Sequence, residues 1–376
     1  SGRPFVAHGD SNSTYWPVMP ELEPYAVTGN AGLFTSLAMD STGLPRVAYY
    51  DETFGALVYA AWSGFDWMSQ YVEVGSGIGR YASLALDPAT GYPRIAYDGP
   101  GSSLRYAAWD GASWSIESVE EGGTSGHISL ALTSSREPRI AFLNGTTQRL
   151  MYAAKVGPSW VRETVADFAP LVPLFSSFPL REVSLALNAT DGPHVAYHDE
   201  TGGSLEYAVK SGGSWQVQVV DAGEDVGHYP SIAIGPGERP AIAYTDAGTV
   251  DLRYASWTGS AWDVETVLSE GYVGLYASLA FDSAGRPHVA SYSFVPGRSE
   301  RDVIVAGTAS GKLYGISAGI PETIERLPRE KRVLATSPRV QWTLDVGAEV
   351  RLAGGPLESV TNVPLYSPAF ASDGGR

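Results

Sequence analysis

The sequence predicts an all-β chain, a β-propeller of four-stranded blades, and three observations carry that prediction. A short phrase of the form S-[LI]-A recurs at Ser36, Ser83, Ser129, Ser184, Ser231 and Ser278, about 47 residues apart with one longer interval before Ser184. A period of that length fits a propeller blade and not a helical solenoid. Each recurrence divides into four short strand-like pieces with turn residues between them. Helical periodicity is nearly absent: only "PETIERLPREKR" has a helical flavour, and Pro328 interrupts it.

The first piece, "SLAMD" or "SLALD", alternates leucine with small residues. The second, "PRVAYYD" or "PHVAYHD", opens on proline, which suits the first position of a strand. The third, "LVYAAW", "LRYAAW" or "LRYASW", alternates again, and the fourth starts at Trp67, Trp114, Trp160, Trp215 or Trp262. Turn signals such as "STG", "ATG" and "TGSAW" separate the pieces. One such sheet cannot bury both of its faces. Repetition in a ring is the expected solution, and closure removes the exposed edges.

The chain ends set how the ring is expected to close. "STYWPVMPEL" matches the fourth strand of a unit, so residues 1–35 are expected to supply a closing outer strand. Residues 36–320 hold six repeats, the sixth degraded, and residues 321–376 carry strand-like "VQWTLDV", "EVRLAG" and "LYSPAFA". Together with the N-terminal strand these complete a seventh blade of a single propeller over residues 1–376. The alternative is six blades plus a C-terminal extension that reaches a neighbouring molecule.

The units "SLALD..G.P.IAY.D.....L.YA...G..W" run clearly from Phe34 to Trp262 and partly from Ser278 to Tyr292. They resemble a tandem repeat of secreted and cell-surface propellers of bacteria and archaea. The C-terminal pieces "VIVAGTASGKLYGISA" and "LYSPAFASDGG" are similar to strands of quinoprotein-type propellers. The tryptophan-docking repeats and catalytic carboxylates of a quinone-dependent dehydrogenase are missing, so the resemblance implies a shape and no cofactor.

Composition narrows the partners. A formal charge of −16 disfavours nucleic acid and anionic lipid, which both require basic patches. No apolar run approaches the roughly 18 residues of a membrane span. The absence of cysteine removes disulfides, thiolate metal sites and cysteine nucleophiles. A start at Ser1 with no signal peptide reads as a removed leader or a trimmed chain. Sequons at Asn12, Asn144 and Asn188 fit secretion, and an extracellular or cell-surface location is expected.

Two variable positions are expected on one face of the ring. Two residues before each serine stand Phe34, Tyr81, His127, Glu182, Tyr229 and Tyr276. The second strands end on Asp51, Asp98, Asn144, Asp199 and Asp246. Aromatic platforms ringed by carboxylates can stack sugar rings and accept their hydroxyl hydrogens, so Phe34, Tyr81, Tyr229, Tyr276, Asp51, Asp98, Asp199 and Asp246 are the candidate binding residues. The competing reading has the acids capping their own turns and the aromatics closing the core.

His194 and His198 lie on one strand face beside Asp199 and Glu200, which raises a metal site. The His194 slot holds Arg46, Arg94, Arg139, Ala241 and His288 in other units, reads as a solvated rim position, and no metal is assigned. "DETFG" and "DETGG" offer paired carboxylates of the kind a glycosidase uses, again at an ordinary turn. Phosphate loops, nucleophile elbows and zinc-protease helices do not occur. The long interval contains "DFAPLVPLFSSFPL", an apolar stretch expected to be an interaction loop through Phe168, Leu171, Leu174, Phe175 and Phe178, or a plug over the channel.

The expected function is therefore non-catalytic, with no cofactor: binding of a glycan or surface protein, adhesion, or self-assembly into a filament. The homopolymer would form through the C-terminal strand, residues 362–376. The alternative is a carbohydrate-active enzyme, glycosidase or lyase, using carboxylates on the loop face.

Overall fold

The structure, a computed structural model, describes residues 31–168, 182–223, 225–269, 272–294, 303–308, 312–317, 334–336 and 339–341. These form six four-stranded antiparallel sheets in which spatial order follows chain order. Sheet 1 consists of β1 (Ala31–Met39), β2 (Pro45–Asp51), β3 (Ala56–Trp62) and β4 (Trp67–Val74). Sheet 2 has β5 (Arg80–Leu86), β6 (Pro93–Asp98), β7 (Leu104–Trp109) and β8 (Trp114–Glu120). Sheet 3 has β9 (Thr124–Leu132), β10 (Pro138–Asn144), β11 (Arg149–Val156) and β12 (Ser159–Asp167). Sheet 4 has β13 (Val183–Leu187), β14 (Pro193–Asp199), β15 (Ser204–Ser211) and β16 (Ser214–Asp221). Sheet 5 has β17 (Val226–Gly235), β18 (Arg239–Asp246), β19 (Asp251–Trp257) and β20 (Trp262–Leu268). Sheet 6 has β21 (Tyr272–Phe281), β22 (Pro287–Phe294), β23 (Val303–Thr308) and β24 (Lys312–Ser317).

β25 (Leu334–Thr336) and β26 (Arg339–Gln341) pair as a separate hairpin. The expected N-terminal closing strand, most of the expected seventh blade, the C-terminal strand of residues 362–376 and the helical-flavoured segment lie outside the described residues. Residues 31–35, grouped above with an outer closing strand, instead begin β1, the first strand of its sheet.

The burial of each strand follows its place in the sheet. Second strands are buried on both faces, which is why "PRVAYYD" and "PRIAFLN" read as nearly continuous apolar runs. Fourth strands are outer edges and alternate exposed polar residues with a half-buried tryptophan. The first turn of a unit is set by an Asx motif: Asp40 Oδ1 accepts from the amides of Thr42 and Leu44, at 2.9 and 3.0 Å. Asp87, Asn188 and Asp282 repeat it.

The core is laminar, one apolar cluster between each pair of successive sheets. Leu57, Tyr59 and Val72 of sheet 1 meet Leu84, Ile95 and Tyr97 of sheet 2, and the pattern continues to the contact of sheets 5 and 6. Each fully buried leucine or isoleucine contributes about 1.5–3 kcal/mol. Tryptophans that open fourth strands stack edge-on against a tyrosine of the preceding sheet: Trp114 on Tyr59, Trp160 on Tyr106, Trp215 on Tyr152 and Trp262 on Tyr207, with centroids 5.1–5.8 Å apart. Leu37, Val47, Tyr49 and Val58, on the face of sheet 1 turned away from sheet 2, are buried as well.

The repeated serine has a structural task that its period alone does not reveal. First strands pack side by side, β1 on β5, β5 on β9, β9 on β13, β13 on β17 and β17 on β21. Between them Ser36 Oγ accepts from the amide of Leu84 at 2.9 Å, and Ser83 Oγ from Leu130 at 3.0 Å. Ser129, Ser184 and Ser231 do the same for Leu185, Ile232 and Leu279. These rungs satisfy backbone donors on edges that share no ladder. Ser83→Ala is expected to strand the Leu130 amide and cost about 1–3 kcal/mol, read as a lower urea midpoint at unchanged slope. An unchanged midpoint would show that the rung adds nothing to water.

Candidate functional site

The first strands of sheets 1, 2, 5 and 6 break register with their second strands just before the serine, between Leu33 and Ser36, Arg80 and Ser83, His228 and Ser231, and Leu275 and Ser278. Each bulge contains a residue in the left-handed region: Phe34 (φ 53°), Tyr81 (53°), Tyr229 (50°) and Tyr276 (54°). A bulge re-aims the side chain that it carries. Holding a bulky residue there costs about 1–3 kcal/mol, a strain that persists only where the surroundings enforce it. A glycine two residues earlier, Gly32, Gly79, Gly227 or Gly274, also has positive φ, and the last three let the strand approach the previous sheet.

The six residues that stand two before the serines meet in one continuous line. The rings of Phe34 and Tyr81 lie 4.4 Å apart, and those of Tyr81 and His127 lie 5.8 Å apart. His127 Nε2 is 3.9 Å from Glu182 Oε1, and Glu182 Oε2 accepts from the backbone amide of Tyr229. Tyr229 and Tyr276 close the line with centroids 4.3 Å apart. The aromatics are half-buried, whereas Glu182 is 1% exposed and its Oε1 has no hydrogen-bond partner.

Burial raises the Glu182 carboxyl well above the usual range, and the same packing pushes His127 down to about 4. Burial and the nearby Glu182 push the Tyr229 phenol up to about 12. At neutral pH the line therefore presents a neutral imidazole, a buried carboxyl whose neutral form is favoured, and phenols, a set that can stack on a ring and exchange hydrogen bonds with hydroxyls.

Of the acids expected beside these aromatics, three are engaged in their own turns and Asp98 reaches the next sheet. Asp51 Oδ1 accepts from the amides of Thr53 and Phe54 at 3.0 and 3.2 Å, and Asp199 from Thr201 and Gly202. Asp246 caps Gly248 and Thr249 and pairs with Arg253 at 2.7 Å. Asp98 accepts from the Thr124 hydroxyl at 2.7 Å, and burial raises its carboxyl to about 6. Asn144, a sequon residue, caps the amide of Thr147 and is buried. Asx capping explains Asp51, Asn144, Asp199 and Asp246 at this slot without a ligand.

No protein-family model matches the sequence, and no curated protein resembles it significantly. Among solved structures the chain is similar to an ulvan lyase, a polysaccharide lyase, at 11% identity and TM-score 0.55 over 96% of this chain and 98% of that one. It is also similar to the SapL1 lectin in complex with alpha methyl fucoside, at 14% identity and TM-score 0.52 over 76% of this chain and 96% of that one. A lectin of Aleuria aurantia in complex with Fucalpha1-6GlcNAc gives 13% identity and TM-score 0.50 over 76% and 96% of the two chains. At these identities the likeness shows the fold. The chain is a β-propeller.

Within the propeller the histidines part company. His194 is 6% exposed and pairs through Nδ1 with the Tyr207 hydroxyl, so its slot is not a solvated rim. The arginines of that slot are tied down too: Arg46, Arg94 and Arg139 donate to the carbonyls of Trp62, Trp109 and Lys155 on the third strand of their own blades. His198 turns the other way, toward the next blade, and stacks on His228 with ring centroids 4.0 Å apart. Neither His228 nor Asp225, which contacts it, was legible as part of a cluster, because the period hides which residues of successive units face each other.

Phe168, expected to open an exposed loop, is instead buried against Tyr197 at 5.8 Å. An apolar residue directly after an outer strand can fold back into the gap between sheets, and Phe168 does so between blades 3 and 4. Leu171, Leu174, Phe175 and Phe178 lie outside the described residues. Among the described residues no helix is long and apolar enough to cross a membrane.

Proposed function

We propose that this propeller binds carbohydrate outside the cell, at the end where Phe34, Tyr81, His127, Glu182, Tyr229 and Tyr276 meet. The observation that carries the reading is the set of four aromatic residues held in left-handed bulges at one repeat position and stacked in two pairs. Strain repeated at one place in four blades points to use of that place. Aromatic faces beside hydroxyl-bonding groups are the usual means of holding a sugar. Two of the similar structures are lectins with fucosides, which fits this reading. Asp51, Asp98, Asp199 and Asp246 keep their structural role in it.

One observation favours a second reading, cleavage of a polysaccharide by elimination. A raised carboxyl on Glu182 and a neutral imidazole on His127, 3.9 Å apart, are environments pushed in opposite directions, as an acid and a base require. A polysaccharide lyase is among the similar structures.

A single panel tests both. The chain is titrated with fucosides and with uronate-bearing polysaccharides, and the mixtures are followed for binding and for the ultraviolet absorbance of an unsaturated product. Replacing Tyr81, Tyr229 and Tyr276 with alanine is expected to weaken binding by about tenfold or more, at roughly 0.5–1.5 kcal/mol per aromatic contact. Unchanged binding in that folded triple variant defeats the glycan reading. Product absorbance that disappears in His127→Ala establishes the second.

A further inference from the structure

We propose that His198, Asp225 and His228 form a site for a divalent transition-metal ion of zinc's class, stapling blade 4 to blade 5. The three ligand atoms lie within 4.8 Å of one another. His198 comes from β14, His228 from β17, and Asp225 from the turn before it. The proposal does not rest on the glycan reading, although His228 directly precedes Tyr229 and their rings are 6.3 Å apart.

Hydrogen bonding fixes the protons and leaves a conflict that a cation resolves. His198 is 2% exposed, and its Nδ1–H donates to the carbonyl of Val226 at 2.8 Å. That is the partner a metal-bound histidine generally keeps, because it sets the tautomer and orients the other nitrogen. In the neutral ring, Nε2 therefore carries a lone pair, and it faces Asp225 Oδ1 at 4.0 Å. A lone pair opposite a carboxylate oxygen is repulsive unless something positive lies between them. The same oxygen is 2.8 Å from His228 Nε2, so both imidazoles are turned toward one carboxylate.

The backbone around the site is anchored to both blades. Val226 donates to the Gly203 carbonyl and Ala247 donates to the Asp225 carbonyl, each at 2.9 Å. Asp225 sits at φ 61°, a conformation that aspartate tolerates. Ligands of one zinc ion at bonds of about 2.0–2.2 Å stand about 3.3 Å apart, so modest side-chain rotations bring the three together. Two imidazoles and a carboxylate suit zinc, copper or nickel rather than calcium or magnesium. Asp225 is largely exposed, which leaves an entry path and room for water to complete the coordination.

The test uses the full chain without a polyhistidine tag, freed of metal by chelation and titrated with zinc alone near neutral pH by calorimetry. The expected result is one zinc per chain, at least about tenfold weaker in both His228→Ala and Asp225→Asn. Zinc should also raise the melting temperature of the parent and not of His228→Ala, whose half-buried side chain leaves the core intact. His288→Ala, at the unrelated contact of His288 with Asp282, should bind as the parent does. Absence of stoichiometric binding overturns the proposal. So does a folded His228→Ala that binds zinc as well as the parent.

Discussion

Gly227→Ala is expected to cost the propeller about 3–5 kcal/mol, far more than an ordinary glycine in a turn. The backbone there has φ +95°, outside the range that alanine adopts without strain, and a Cβ would stand 2.7 Å from Leu205 Cα. Leu205 is fully buried in the third strand of the preceding blade, so the overlap is with packed backbone and not with a side chain that can swing away. Gly79 meets Leu57 and Gly274 meets Leu252 at 2.7 and 2.8 Å in the same way, so the close approach to a leucine backbone recurs at three joints. Gly91 is the control: its φ is +70° with nothing within 4 Å, and alanine there should cost about 1 kcal/mol. Urea denaturation of the two variants checks the difference. Equal midpoints would show that the blades can part at the joint without penalty.

Glu182→Gln should make the protein's stability less sensitive to alkali. A buried carboxyl whose folded pKa is raised contributes fully below its unfolded value, about 4.3, and that contribution is lost as pH rises through the folded value. Glutamine cannot ionise, and it keeps an oxygen to accept the Tyr229 amide. Other groups bend the parent curve. Asp98, raised to about 6, removes stability between about pH 4 and 6. His127 and His198, both lowered to about 4, add stability as pH rises from about 4 to 6.5. The informative quantity is therefore the gap between variant and parent, which should move in favour of glutamine by more than about 1 kcal/mol from pH 5 to pH 8. A gap that stays constant means that Glu182 is already ionised at pH 5 and has a partner for its charge.

The period of the serines, the proline-led second strands and the tryptophan-led fourth strands were enough to read the six sheets, because each is a local pattern repeated with little change. What the serines and glycines do was hidden, since their partners lie one whole unit away. Ser83 reads as a polar residue in a strand until Leu130 is placed beside it. The convergence of Phe34, Tyr81, His127, Glu182, Tyr229 and Tyr276 was legible from their shared offset, but the left-handed backbone of the four aromatics was not, because nothing in a tyrosine announces positive φ. The arginine slot was misread because a long side chain in a variable position looks solvated. In Arg46 and Arg94 it reaches back to a carbonyl at the start of the hairpin turn. His198 and His228 belong to slots filled by unrelated residues elsewhere, so no column of the repeat singled them out.

The serine rung also says something about descent. The joint between the third and fourth blades makes the contact at 2.9 Å, within the 2.9–3.1 Å of the others, although 56 residues separate Ser129 from Leu185 where 47 or 48 separate the other pairs. Inner strands therefore lock together in the same way across a longer interval of sequence. The second to fifth units each offer one acceptor forward and one donor backward. Unequal crossing-over that adds or deletes a complete copy leaves each remaining copy with a matching neighbour, so genes of this design can change copy number in one step while the joints between surviving copies stay intact.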